Sequence, residues 1–484
     1  MDAERRIADL EAQLAIKEQL NAELRARLAE LESKLAELTS KVSQLSEAQG
    51  RDSSNSSQPP SSDSPSVRAK RNQRRAKSKG TRRRRGGQPN HRGAHRQLLD
   101  ADKVDEVVDL FPSECEDCAT RLPETKDPHA LRFQVTELPA FEPHTTEYRR
   151  HSVACPCCEH TTRGPTERLP ASPFGPRLMS VVALLTGAYH VSRRKTRDLL
   201  ADLVGVRISL GAVSAVEARV SDAVEKPVHE AWQRVATARV KHTDGTLWFQ
   251  AGVMLSLWVI ASVVATVFKI VANGRKETLA PLFGKQRGIL VSDRATALNF
   301  WAMERRQICW AHLLRKFVSF AQRDGPSGKF GQELLEYVGL IFSYWHDVRD
   351  GRMERTQFRT WMAPVRLRVE ELLERASKSG IAPLAGSCTD ILAHREALWT
   401  FVDEHGVEPT NNPAERELRE FVLWRKRSYG TQSERGNRFA ERLMTVTHTA
   451  RKQKKNVLEF LTECCVAHID GGKQPSLFAP ESAT

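Results

Sequence analysis

Three acidic residues in the second half of the chain have settings suited to metal-dependent chemistry. Asp244 lies in Ala238-Arg-Val-Lys-His-Thr-Asp-Gly-Thr-Leu-Trp-Phe249, and Asp293 in Gly288-Ile-Leu-Val-Ser-Asp-Arg-Ala-Thr-Ala297, directly after an apolar run. Glu415 lies in Thr410-Asn-Asn-Pro-Ala-Glu-Arg416, at the start of a helical, basic stretch. Breaking or joining a phosphodiester puts negative charge on both the attacking and the leaving oxygen. Two divalent cations about 3.5–4 Å apart stabilise both. Mg2+ and Mn2+ prefer carboxylate oxygens and keep waters and substrate phosphate in their shells. Such a site therefore needs clustered Asp or Glu. On this reading Asp244 bridges two ions, and Asp293 and Glu415 each hold one side. Any single Asp is more ordinarily a turn or cap residue. That alternative weakens when three acids follow one another in the right order on the right elements.

Those elements are legible from periodicity. From Arg239 onward the hydrophobic period is that of strands. Residues 238–248, 254–262 and 264–272 read as strands, 275–283 as a short helix, and 288–292 as a buried strand ending at Asp293. Residues 307–310 read as another short strand that runs into a helix over 312–320. A helical insertion is expected over about 331–405, before Glu415 opens the closing helices. Strand-strand-strand-helix-strand-helix, with one Asp on the first strand and one after the fourth, resembles an RNase H-like fold. The uncharged stretch 250–268 is rich in Val and Ser, and reads as two neighbouring buried strands rather than a transmembrane span.

The composition points to DNA. The chain has 484 residues and a formal charge of +14, with a pI near 9.5. Its length implies several domains, and its charge favours a polyanion, with an anionic membrane surface as the competing partner. The opening residues are charged and heptad-patterned, unlike a signal peptide. The nine cysteines suggest a reducing compartment. A seven-residue repeat places Ile7, Leu14, Asn21, Leu28, Leu35 and Val42 at a, and Leu10, Lys17, Leu24, Leu31, Leu38 and Leu45 at d. This is a coiled coil, and Asn21 at a favours two in-register strands. The alternative is one amphipathic helix packed on its own protein. A Ser-, Asp- and Pro-rich linker follows. Residues 67–85 then carry eleven Lys or Arg and no acid, ending in Arg82, Arg83, Arg84 and Arg85. Charges so dense repel one another and bury nothing, so the block reads as a disordered grip on phosphates, or as a solvated tail.

Cys115-Glu-Asp-Cys118 and Cys155-Pro-Cys-Cys158 are two Cys-x-x-Cys knuckles with 36 residues between them. They suit one tetrahedral structural zinc on Cys115, Cys118, Cys155 and Cys158, with Cys157 as a spare. The segment 131–153 between them reads as short strands. The alternative is two separate turns with buried thiols. Residues 176–226 read as helical. Gly205 turns the chain and Ser209 caps the next helix, in the manner of a helix-turn-helix, with Arg193, Arg194, Lys195 and Arg197 available for phosphate. Many helical hairpins look the same and bind nothing. Residues 416–455 hold twelve Lys or Arg against four acids, and Arg425, Lys426 and Arg427 are expected to face phosphate beside the acids. Cys309 and His312 are a possible metal pair or, more ordinarily, core residues. Asn411 and Asn412 orient the backbone ahead of Glu415, touch DNA, or cap the helix that Pro413 opens.

The motifs His242-Thr-Asp-Gly-Thr246, Ser292-Asp-Arg294, Cys309-Trp-Ala-His312 and Thr410-Asn-Asn-Pro-Ala-Glu-Arg-Glu-Leu-Arg419 together resemble the DDE transposases of the insertion sequence 66 family. The order around them is similar too: zipper-like start, Ser-rich linker, basic segment, paired cysteines, core and basic tail. The resemblance covers nearly the whole chain. It implies cleavage and strand transfer at terminal inverted repeats, with Asp244, Asp293 and Glu415 as the metal-binding triad and two Mg2+ or Mn2+ per site. Family members often carry an acid after the first Asp, and Gly with an aromatic after the second. This chain has Gly245, and Arg294 with Ala295. The expected class is multidomain α/β: coiled coil over 1–49, linker over 50–66, basic segment over 67–99 and zinc module over 100–170. A helix-turn-helix-like region follows over 171–237, then an RNase H-like core over 238–460 and a tail over 461–484. Expected partners are double-stranded DNA (element ends and target), a second copy through the coiled coil, and other proteins of the same element. No membrane is expected, and the bacterial cytoplasm and nucleoid are the expected location. A catalytically silent regulator of transposase descent, or a nuclease without strand transfer, are the alternatives.

Overall fold

The computed structural model describes residues 97–479 apart from 168 and 285, together with 14, 17–35, 37–38, 52–56, 63–67 and 69. Apart from residues 67 and 69, the expected basic block over 67–85, including Arg82–Arg85, lies outside the described residues. The chain divides into two compact units.

The smaller unit comprises residues 68–164 and 199–207. Its only described strands are β1 (Ser152–Ala154) and β2 (Thr161–Arg163), paired antiparallel. The expectation of strands throughout 131–153 is corrected here: 131–151 forms none. Its apolar residues Leu131, Phe133, Val135 and Leu138 are largely exposed, so alternation alone finds no second layer to pack on.

The larger unit contains most of the core. Residues 17–35 are helical, and Leu24, Leu28, Leu31 and Leu35 on them are each at least half exposed. A helical group begins with α1 (Pro176–Ala183), extended by a wider π turn over Leu184–Ala188. It continues through α2 (Arg193–Val204), whose residues from 199 onward are counted with the smaller unit, α3 (Leu210–Ala223) and α4 (Glu225–Thr237). Ser209 caps α3 as its sequence position suggests, its side chain accepting from the Ala212 N–H.

A five-stranded mixed sheet follows: β3 (Val240–Gln250), β4 (Val253–Ala261), β5 (Thr266–Val271), β6 (Ile289–Ser292) and β7 (Arg306–Ile308). Its spatial order is β5-β4-β3-β6-β7. The first three strands form an antiparallel meander, while β6 and β7 run parallel to β3. Helix α5 (Lys276–Phe283) makes the crossover from the meander's edge to the far side of β3, as a parallel connection requires. The uncharged stretch 250–268 is thus mainly β4 and the start of β5, and no described helix is long and apolar enough to cross a membrane.

After β7, α6 (Trp310–Ala321) leads into α7 (Pro326–Arg349), α8 (Arg355–Ser377), α9 (Ala382–Leu392) and α10 (Thr400–Asp403). Trp310 opens α6 rather than closing β7. These helices and the β6–β7 side of the sheet share one core that includes Trp310, Phe317, Phe358, Trp399 and Phe401. The closing helices are α11 (Asn412–Ser428), α12 (Glu434–Lys452) and α13 (Val457–Ile469). Trp248, Val259 and Phe268 of the meander share a second core with Phe421 of α11 and Met444 of α12. The turn between α11 and α12 docks on the end of β3. The Thr431 N–H donates to the Phe249 carbonyl at 2.9 Å, and Ala251 N–H donates back to Thr431 at 2.8 Å.

Candidate active site

The fold places the three acids on adjoining elements, near enough for Asp293 and Glu415 to act on Asp244. Asp244 sits midway along β3, opposite Val259 of β4. Asp293 follows β6, the strand hydrogen-bonded to the other edge of β3. Glu415 is in the first turn of α11, where the unpaired N–H groups of a helix favour a negative charge. Burial raises the Asp244 pKa to about 7, with Asp293 and then Glu415 adding to the rise and the Gly245 N–H and Arg315 opposing it. One carboxylate therefore feels the other two, from strand, strand end and helix. Holding three such charges together without a cation is unfavourable, and each offers only oxygen donors, the set that Mg2+ or Mn2+ takes.

Each acid is held by identifiable groups. The Gly245 N–H donates to Asp244 Oδ1 at 2.9 Å. Gly245 faces Trp258 across the ladder, and a Cβ there would lie 2.9 Å from the indole. That packing accounts for glycine at this position. The Asp293 loop is fixed by Arg306, buried on β7. Its guanidinium donates to the Asp293 carbonyl at 3.0 Å, to Asn299 Oδ1 at 2.9 Å and to Ser292 Oγ at 3.3 Å. The Ala295 N–H donates to Asp293 Oδ1 at 3.0 Å. Arg294 turns away to pair with Asp390 of α9.

Asn411 joins these pieces. It is fully buried just ahead of α11. Its side-chain amide donates to the Thr243 carbonyl at 2.8 Å, one residue before Asp244. Its Oδ1 is then the acceptor for His242 Nδ1 at 3.3 Å. Burial lowers the His242 pKa to about 4, so the ring stays neutral. The Asn411 backbone N–H donates to Cys309 Sγ at 3.1 Å, and the Trp310 N–H donates to the Pro409 carbonyl at 2.8 Å. Asn411 thus ties β3 and the start of α6 to the turn that presents Glu415. It makes no side-chain cap bond, which corrects the capping alternative. Asn412 is exposed at the first position of α11.

His312 and Arg315, one turn apart on α6, face Glu415: His312 Nδ1 lies 3.7 Å from Oε1 and Arg315 Nη2 lies 3.8 Å from Oε2. Burial lowers the His312 pKa, against the opposing pull of Glu415. Arg315, Arg306 and His242 escape sequence reasoning because their partners lie on other elements. His242 stood in one of the motifs, but its link to Asn411 had no local signal.

Arg425 belongs to the site's border, donating to Thr246 Oγ1 at 3.1 Å and to the Leu247 carbonyl, while Lys426 is exposed. Arg194 and Lys195 are exposed on α2. Arg193 differs from expectation. Its guanidinium forks onto the buried Glu217 carboxylate of α3, so its charge is already matched. On α3 the exposed positions include Gly211 and Ala215, and Arg219 there donates to the Ala171 carbonyl at 2.9 Å.

In the smaller unit the two knuckles form matching turns. The Cys115 N–H donates to Thr120 and Ala119 N–H to Cys115, as Cys155 does to His160 and Glu159 to Cys155. Ala119 and Glu159 share a left-handed backbone, φ 56° and 59°. The Cys118 thiol pKa is lowered by Thr120 first and also by Cys115. That of Cys155 is lowered by the Cys157 and Cys158 backbones and the Cys158 thiol. Cys118 Sγ donates to Thr120 Oγ1 at 3.2 Å, and among the described residues no three of the knuckle sulfurs lie within 4.8 Å of one another.

No curated protein matches the chain. Residues 3–97 match the model of a family of unknown function. Residues 171–439, more than half of the chain and including all three acids, Asn411, His312 and the whole sheet, match the model described as Transposase IS66 family, and the chain accordingly belongs to the IS66 family of transposases.

Proposed function

We propose that the chain is a DDE-type DNA transposase with an RNase H-like core, cleaving and joining strands at the terminal inverted repeats of an insertion sequence. The observation that carries this reading is the approach of Asp293, at the end of β6, and Glu415, in the first turn of α11, to Asp244 on β3, whose pKa both of them raise. A sheet of order β5-β4-β3-β6-β7, with three antiparallel strands and two parallel ones, fits an RNase H-like arrangement.

Asp244, Asp293 and Glu415 would hold two divalent cations, Mg2+ or Mn2+, which supply charge stabilisation at the attacking and leaving oxygens. The chain's own contribution is position. Asn411 sets the height of Glu415 relative to the Thr243–Asp244 backbone. Arg306 holds the Asp293 loop against β7. Arg425, with the exposed Lys426, Arg194 and Lys195, would meet backbone phosphates, contacts that position DNA without reading sequence. The matched knuckle turns support one structural zinc on Cys115, Cys118, Cys155 and Cys158. The exposed leucines of the N-terminal helix support pairing with a second copy. Residues 67–85, Arg82 to Arg85 included, would add a sequence-independent grip.

Strand transfer is tested with a duplex ending in the 3′-hydroxyl of the element and a supercoiled plasmid target. A joined product in Mg2+, absent with Glu415→Gln, is the expected result. Cutting of the plasmid without joining would make the protein a nuclease. DNA binding without either reaction would make it a regulator.

A further inference from the structure

Two buried polar atoms beside the acids lack any hydrogen-bond partner among the described residues: Nδ1 of His312 and Oε1 of Glu415. They face one another at 3.7 Å, too long for a hydrogen bond, which for such a pair is about 2.7–3.2 Å. An unsatisfied buried acceptor or donor is costly, and here two are orphaned together. Two ligands at about 2.0–2.2 Å from one ion, in tetrahedral array, stand roughly 3.5 Å apart. The gap between these atoms therefore has the width of a shared cation. A third donor is at hand. Cys309 Sγ, a ring nitrogen of His312 and an oxygen of Glu415 all lie within 4.8 Å of one another, and they are the one such gathering of three His, Cys, Asp or Glu ligands among the described residues.

The backbone explains why the three meet. Cys309 precedes the first turn of α6 and His312 lies within it, so a Cys-x-x-His spacing turns both side chains to one side. Glu415 occupies the first turn of α11. The two helix starts are joined by the Trp310–Pro409 and Asn411–Cys309 hydrogen bonds. The donor set is one sulfur, one imidazole nitrogen and one carboxylate oxygen. Mg2+ prefers oxygen alone, whereas thiolate and imidazole select borderline transition ions.

We propose that Cys309, His312 and Glu415 form a site for a divalent transition-metal cation, Zn2+ more tightly than the harder Mn2+, in which His312 Nδ1 and Glu415 Oε1 bind the same ion. This deepens the reading of Glu415 as a metal ligand and rests on it. It adds a nitrogen donor that an all-carboxylate site lacks, and it gives the Glu415 side of the active site a different metal preference from the Asp244 side. Cys309 becomes a direct ligand when the softer ion, Zn2+, is bound.

The test uses the full chain with Mn2+, which thiolate knuckles hold poorly. Pulsed electron paramagnetic resonance detects nitrogen bound to the ion without reference to activity. The wild type is expected to show Mn2+ with a directly bound nitrogen. His312→Ala and His312→Gln are expected to lose that coupling and to weaken Mn2+ binding by at least about tenfold, the lower range for losing even a supporting group of a metal site. Zn2+ is expected to displace the nitrogen-coupled Mn2+ less readily in Cys309→Ser than in wild type. Bound Mn2+ without nitrogen coupling in the wild type, or coupling that persists in both His312 variants, would overturn the proposal. Asp244→Asn and Glu415→Gln separate the two claims. If they weaken Mn2+ binding while the wild type shows no nitrogen, the carboxylate reading stands and only the His312 site fails. If they leave Mn2+ binding unchanged, the carboxylate reading fails as well.

Discussion

At the scale of single residues, Asn411 has the clearest consequence. It is buried, and one amide spans the Thr243 carbonyl and His242. Asn411→Ala leaves both without their partner, at a cost of about 1–3 kcal/mol. Urea unfolding is expected to show that loss. Cleavage is expected to fall further than stability does, by up to about a hundredfold, because the same amide sets Glu415 against Asp244. Unchanged cleavage in a destabilised variant would make Asn411 merely structural. The residue was visible in the sequence as part of Asn-Asn-Pro-Ala-Glu, but its work was not. Its partners lie 168 and 169 positions away, and no local pattern encodes such a contact. Gly245 and Arg294 are similar. Both look like departures from a familiar motif, and both are answered by distant residues, Trp258 and Asp390.

At the scale of elements, the α11–α12 turn is the tightest junction. Tyr429 is left-handed at φ 56° and Gly430 has φ 94°. A Cβ on Gly430 would stand 2.0 Å from the Phe249 carbonyl oxygen, which is backbone and fixed in the sheet. Gly430→Ala is therefore expected to cost at least about 1–3 kcal/mol, read as a lower thermal midpoint, while Gly205→Ala, strained but facing open space, should cost less. The α11–α12 contact also titrates. Burial alone would lower the His448 pKa, but hydrogen bonds to Glu417 and Glu420 raise it overall. Its stabilisation is complete below the ordinary histidine value of about 6.5 and is lost as pH rises through the raised value. The difference in thermal midpoint between wild type and His448→Gln is thus expected to shrink as pH increases above about 6.5. A difference that grows would contradict the pairing. The elements themselves were largely legible: β3 to β6, α5 and the helical insertion fall within a few residues of their periodicity. Residues 131–151 were not, because alternation marks a strand only where a neighbouring strand and a core exist to receive it. The Arg193–Glu217 pair was not legible for a related reason, since Glu217 lies one helix away.

At the scale of the whole molecule, charge bears on the DNA binding that a transposase family implies. The formal charge of +14 implies binding whose affinity falls steeply with salt. Removing residues 67–85 is expected to flatten that slope, by about 0.9 for each phosphate the chain then leaves unneutralised, in fluorescence titrations across salt concentrations. Transposition joins these parts to the acids, and the acids carry the central claim. The most direct measurement is cleavage of a labelled duplex bearing the element's own end, in Mg2+, by the full chain and by Asp293→Ala. Cutting at the end by the wild type, lost in Asp293→Ala while DNA binding persists, is the expected result. Cutting that survives Asp293→Ala would contradict the assignment of Asp244, Asp293 and Glu415 as the catalytic carboxylates.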